Sequence, residues 1–131
     1  MKEIVAIMLG GGLGATSRHG INIFVHRFVQ SNFPVGTISV NLLGSFLIGL
    51  CGALLEHYKI AVEYRLFVLT GFFGSFTTFS TFAREKAELL KVGEVKVAII
   101  YALTSNIFGV LLVFAGYLLA RRFIAMGGGA P

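Results

Sequence analysis

Thr70-Gly71-Phe72-Phe73-Gly74-Ser75-Phe76-Thr77-Thr78-Phe79-Ser80-Thr81-Phe82-Ala83 is the stretch whose reading decides the fold. It has no charge and no Leu, Ile or Val, and it sets five phenylalanines among six hydroxyl side chains. It lies in an uncharged run from Leu66 to Ala83, barely long enough to cross, as a helix, a hydrocarbon core of about 30 Å. A helix facing lipid would keep aliphatic residues on one side, whereas every face here presents Phe, Ser, Thr or Gly. The segment is therefore expected to be enclosed by protein. Hydroxyls and aromatic edges gathered at membrane depth suit a path for something small and polar.

The rest of the chain supplies the enclosure. Its 131 residues are 56% hydrophobic and only 13% charged, with a mean hydropathy of +0.84, far from the balance of a soluble domain. Charged residues mark off four apolar stretches at about 4–26, 35–55, 66–83 and 97–120, each of membrane-spanning length. The expected fold is an all-α integral membrane protein, one four-helix domain over residues 1–125. Met1-Lys2-Glu3 before an apolar run imitates a signal peptide, but the run continues past any small-residue cleavage site and three more follow. Cys51, the single cysteine, can form no intramolecular disulfide. Residues 126–131, which include Gly127-Gly128-Gly129-Ala130-Pro131, read as a flexible tail or a cloning remnant.

The net charge of +5 comes from eleven basic and six acidic side chains. With four crossings, Lys2, Lys59, Arg65, Arg121 and Arg122 fall on one side and Arg18, Arg27, Arg84, Lys86, Lys91 and Lys96 on the other. Five against six gives the positive-inside rule nothing to act on. Such a chain can insert both ways round, and two opposed copies can pair about a two-fold axis in the membrane plane as an antiparallel homodimer.

Gly10-Gly11-Gly12-Leu13-Gly14-Ala15 formally fits a dinucleotide-binding pattern, but it lacks the strand and amphipathic helix that pattern needs. Gly10 and Gly14 are spaced instead for close helix contact. Arg18 reads either as a snorkelling anchor or as an inward cation at a vestibule. After Pro34, a plausible helix start, Thr37, Asn41, Ser45 and Gly49 recur every four residues and share one face. An Asn in hydrocarbon must find partners, either across helices or in a polar path. His26 and His57 sit at span ends with no second ligand spaced to help them bind metal. Residues 84–96 read as a short amphipathic interfacial segment. In the last span Tyr101 and Ser105 are one turn apart, with Thr104 and Phe108 on the adjoining face and Asn106 on another.

No carboxylate pair, nucleophile with base or ligand cluster is in view, so no enzyme is expected. All six acidic side chains read as lying at termini or connections, which argues against a proton-coupled transporter. Hydroxyl, amide and phenol groups can donate hydrogen bonds, and phenylalanine edges carry the positive side of the ring quadrupole. Together they can replace an anion's hydration shell. Phe79 and Phe82 stand one turn apart, with Phe76 above them. Packing alone would explain any one of them; their hydroxyl surroundings favour a pore.

At these residues the chain resembles the Fluc (CrcB) fluoride channels, over Lys2 to about Arg122. The resemblance rests on Gly14-Ala15-Thr16-Ser17-Arg18, on Gly36-Thr37 leading to Val40-Asn41-Leu42-Leu43-Gly44, and above all on Gly74-Ser75-Phe76-Thr77-Thr78-Phe79-Ser80-Thr81-Phe82. It implies a dual-topology homodimer that passes fluoride out of the cell across the inner membrane of a prokaryote and so confers fluoride resistance. Phe79, Phe82, Asn41 and Tyr101 would be pore residues, with Ser80, Thr81 and Ser105 as a polar track. The backbone carbonyls of Gly74 and Thr77 would hold a structural Na+ at the dimer interface. A helix broken near Gly74 to Thr77 is expected on the same ground and because Gly71 and Gly74 weaken helix propensity mid-span. The alternative is a small multidrug-type four-span efflux transporter or a membrane assembly subunit.

Overall fold

The computed structural model describes residues 1–127, whose regular secondary structure is all helix; the remainder of the expected tail lies outside the described residues. Helix α1 covers Lys2–Phe28, with Glu3 in its first turn and His26 and Arg27 in its last, the charge order that complements the helix dipole. Helix α2, Val35–His57, starts immediately after Pro34. Helix α3 occupies residues 62–76 and changes character along its length. One α-turn, Val62–Arg65, leads into a π-helical stretch, Leu66–Phe73, and a last α-turn, Gly74–Phe76. Helix α4 is Phe79–Lys91, and after a turn at Gly93, whose φ of +82° is left-handed, helix α5 runs from Val95 to Met126.

Three helical segments are long and apolar enough to cross a membrane: Val35–His57, Val62–Lys91 and Val95–Met126. At 27 residues, α1 has the length but is not among them, because its glycine run and Arg18-His19 dilute its hydropathy.

The uncharged run from Leu66 to Ala83 lies within one of these three segments and is made of two helices. The break falls at Thr77 (φ −79°, ψ 155°) and Thr78 (φ −147°, ψ 117°), both extended. It lies at the downstream edge of the expected region, and glycine is not its cause. Gly71 sits within the π-helical stretch, and Gly74 keeps helical angles of −61° and −29°. The break is made by side chains. Thr78 N–H donates to Asn41 Oδ1 at 2.8 Å instead of to the carbonyl four residues back, and Thr78 Oγ1 caps α4 by accepting from Thr81 N–H at 3.3 Å. A threonine N-cap stabilises a helix start by about 1 kcal/mol. Most of residues 84–96, expected as a short amphipathic segment, continue α4 directly out of the break.

Packing explains why the two halves diverge. Helices α1 and α3 run parallel in backbone contact: a Cβ on Gly10 would collide with the Phe67 carbonyl oxygen, and one on Gly14 with that of Phe72. Helices α2 and α5 also run parallel, Ser45 beside Gly109 and Gly49 against the Val113 carbonyl. Small residues at such seams let backbones approach where lipid gives no hydrophobic drive. Phe73 and Phe76 bury with Val40 in one cluster, while Phe82 and Leu89 bury with Ile38, Ala98 and Tyr101 in another. Helices α3 and α4 thus belong to different cores, and the extended Thr77-Thr78 pair is the step between them. Phe76, expected in line with Phe79 and Phe82, instead stacks on Phe72, with centroids 5.6 Å apart and planes at 12°.

Candidate functional site

The face of α2 that recurs every four residues is used along its whole length. Thr37 Oγ1 donates to Glu85 Oε1 at 2.7 Å. One turn on, Asn41 holds Thr78 at two points, accepting from its N–H and donating through Nδ2 to its carbonyl at 3.2 Å. Ser45 lines the cavity below, and Gly49 closes on α5. The pair of hydrogen bonds to the Thr78 backbone fixes which way the Asn41 carboxamide faces, since a backbone N–H can meet only its oxygen and a carbonyl only its nitrogen. One Nδ2 hydrogen remains for the cavity.

That cavity, about 250 Å³, is lined by Asn41, Ser45, Thr77, Thr78, Phe79, Phe82, Ser105 and Asn106 with Ile48. None of these side chains is charged. Ser105 Oγ is buried and, among the described residues, has no hydrogen-bond partner; a helical serine commonly returns its proton to the carbonyl four residues back, so a free hydroxyl here is a donor in waiting. The rings of Phe79 and Phe82 lie 5.9 Å apart at 53°. Phe82 is 4% exposed and Phe79 76%, so one wall of the cavity opens on the surface of the chain.

A second cavity, about 550 Å³, lies on the other side of the break and is lined by Ala15, Arg18, Gly74, Ser75, Thr77, Thr78, Phe79 and Ser80. Arg18 faces this polar recess, together with Ser80 at the start of α4. Thr77, Thr78 and Phe79 line both cavities and form the partition between them. The Thr81 hydroxyl is occupied within the partition, accepting from Thr78 Oγ1 at 3.1 Å.

Tyr101 is placed differently from the other expected residues. Fully buried, it points its hydroxyl at Glu85 Oε2, 2.8 Å away, and meets Phe82 edge-on, with ring centroids 4.9 Å apart and planes at 75°. It supports the cavity through Phe82 and does not line it. Glu85 itself corrects the expectation that every acidic residue lies at a terminus or connection: it sits within α4, with Thr37 and Tyr101 donating to its two oxygens. Its spacing carried the signal, since Glu85 stands three residues after Phe82 on the same helix face.

The Gly74 and Thr77 carbonyls were expected to hold a cation, and the break bears on that directly. In a continuous helix their donors would be the N–H groups of Thr78 and Thr81. Those two are diverted to Asn41 Oδ1 and Thr78 Oγ1, which leaves both carbonyls without a helical partner and chemically suited to a hard monovalent cation.

Long apolar helices around a broken segment, with hydrogen-bonding side chains lining an uncharged cavity that opens on one side of the chain, define a multi-pass helical membrane protein with a site at the break. The chain belongs to the CrcB family: residues 5–117 match the family described as CrcB-like protein, Camphor Resistance (CrcB). Its relatives include the "Fluoride-specific ion channel FluC" of Parabacteroides distasonis, 40% identical over 126 residues, 96% of this chain and 98% of the relative. Proteins of the same name from Pyrococcus horikoshii, 43% identical over 122 residues, and Thermus thermophilus, 42% identical over 124, each align over 98% of their own length with 92% and 95% of this chain.

Proposed function

We propose that this chain is a fluoride-selective channel, through which the ion leaves the cell passively across the inner membrane. The observation that carries the reading is the uncharged cavity at the break, where an Asn41 N–H, the unpartnered Ser105 hydroxyl and the rings of Phe79 and Phe82 converge. Each can present positive charge density to a dehydrated anion, and no fixed cation is there to trap it. Channel naming across bacterial and archaeal relatives of nearly full overlap supports the same activity. A proton-coupled efflux transporter is the weaker reading, because Glu85 already accepts two hydrogen bonds in this conformation. Reconstituted alone into liposomes, the protein is expected to release fluoride and retain chloride. Release no faster than from protein-free vesicles, or equal release of chloride, would refute the assignment.

The pathway is completed by a second, oppositely inserted copy, and α1 makes a fourth crossing beside α3. Support comes from Phe79, whose exposed ring beside a polar cavity calls for a covering surface, and from the five-to-six division of basic residues. With Cys51 replaced and a cysteine placed at Ala125, an impermeant thiol reagent should label the population from both sides of the membrane. Labelling from a single side would overturn the antiparallel arrangement.

The Gly74 and Thr77 carbonyls fit a structural Na+ shared between the copies, which would satisfy backbone groups that the break sets free. Within one chain a Cβ at Gly74 meets nothing closer than the Leu69 carbonyl oxygen at 3.9 Å, so Gly74→Leu should leave the single chain folded and disrupt pairing. Dimers that form equally well with this substitution, or whose stability is indifferent to sodium, would remove the site.

A further inference from the structure

We propose that Lys86 is a positioning residue for the anion, acting through the ring of Phe82 and not by touching the ion. This rests on the fluoride-channel reading. The ammonium of Lys86 lies over the face of the Phe82 ring, 3.8 Å from its centroid, one helical turn further along α4. Among the described residues no carboxylate lies within salt-bridge distance of Lys86, the one such pair on this helix being Arg84 with Glu88 at 3.8 Å. Its charge is thus presented to the ring without a competing partner. The ring in turn is almost wholly buried and lines the uncharged cavity, so Phe82 separates a cation on its face from the space where an anion is to be bound.

The physical consequence follows from the ring quadrupole. A cation over the face draws π density toward itself and leaves the edge hydrogens more positive than in an isolated benzene ring. An anion meeting that edge gains more than from a phenylalanine whose face packs only on carbon. The site thereby obtains part of the attraction of a lysine with the ammonium kept out of the cavity. A direct ammonium contact would bind the small anion tightly and slow its release. Tyr101, meeting Phe82 edge-on, helps hold the ring in place while the ammonium covers it.

The test uses the purified full-length protein in liposomes, with fluoride efflux as the readout. Lys86→Met keeps the aliphatic stem and removes the charge; Lys86→Arg keeps a cation able to lie on the ring. Arg84→Met removes the same charge two residues away from an exposed side chain that makes no contact with the ring. Lys86→Met is expected to lower flux by roughly three- to tenfold, the factor corresponding to a cation–π contact of ordinary strength. Lys86→Arg and Arg84→Met should stay within about twofold of the parent, below that range. The deficit of Lys86→Met should persist between about 0.1 M and about 1 M ionic strength, over which the Debye length falls from about 10 to about 3 Å. A remote steering charge would be screened over that range, whereas a contact across 3.8 Å is not. The proposal fails if Lys86→Met conducts like the parent, if its deficit disappears at high ionic strength, or if Arg84→Met is equally impaired. A parent that releases no fluoride would overturn the channel reading itself.

Discussion

Phe82→Ile is expected to yield a folded protein that has lost fluoride flux by about a hundredfold or more, a change worth about 2.8 kcal/mol. The substitution keeps much of the apolar volume, so its cost in stability should stay below the roughly 3–5 kcal/mol of truncating a buried phenylalanine to alanine. What goes is the ring: its place in the cavity lining, its edge-on contact with Tyr101 and the surface on which Lys86 rests. Loss of stability and loss of conduction are therefore separable here. Gel filtration should give the parental profile while efflux falls toward that of protein-free vesicles. Parental flux in this variant would return Phe82 to the status of core filler, and its burial with Ile38, Leu89 and Ala98 would be its whole role.

Asn41→Ala is expected to damage both stability and conduction. Its carboxamide accepts from the Thr78 N–H and donates to the Thr78 carbonyl, and these are the groups through which the break is held open. Interhelical side-chain hydrogen bonds in membranes contribute about 0.6–2 kcal/mol each. Removing this pair should destabilise the fold by about 1–3 kcal/mol and let Thr78 relax toward a continuous helix, which would shut the cavity and recapture the Gly74 carbonyl. Flux should fall by at least the hundredfold expected for Phe82→Ile, here together with a lowered unfolding temperature. A variant with parental stability and flux would show that the clamp is dispensable and that the break is set by Thr77 and Thr78 alone.

The residues that sequence could place were those whose environment follows from spacing along one helix. Thr37, Asn41, Ser45 and Gly49 lie on one face because a helix repeats every 3.6 residues, and each does meet a neighbouring helix there. The site residues Asn41, Phe79, Phe82 and Ser105 were legible as polar or aromatic groups out of keeping with lipid, and they do share one cavity. Less legible was anything decided by a partner distant in the chain. The break is expected near Gly74 to Thr77 and falls at Thr77 and Thr78; what glycine propensity does not reveal is its cause, since Asn41, 37 residues away, competes for the Thr78 amide. The family resemblance puts Tyr101 in the pore, but its hydroxyl donates to Glu85, a residue that the sequence groups with the connecting charges. The π-helical stretch at Leu66–Phe73 has no counterpart in local propensity, because its extra residue per turn is accommodated by packing against α1.

The glycine seam between α1 and α3 also bears on biogenesis. As the proposed fourth crossing, α1 is synthesised before the helix it leans on, yet with Arg18-His19 and a run of glycines it is not among the segments apolar enough to cross a membrane by themselves. Its tenure in the bilayer depends on a backbone-to-backbone fit that does not exist until α3 has left the ribosome. If α1 does cross as proposed, the first strongly apolar segment a translocon meets is α2, between nearly balanced flanking charges, and α1 would settle in the bilayer only once α3 is there to meet it.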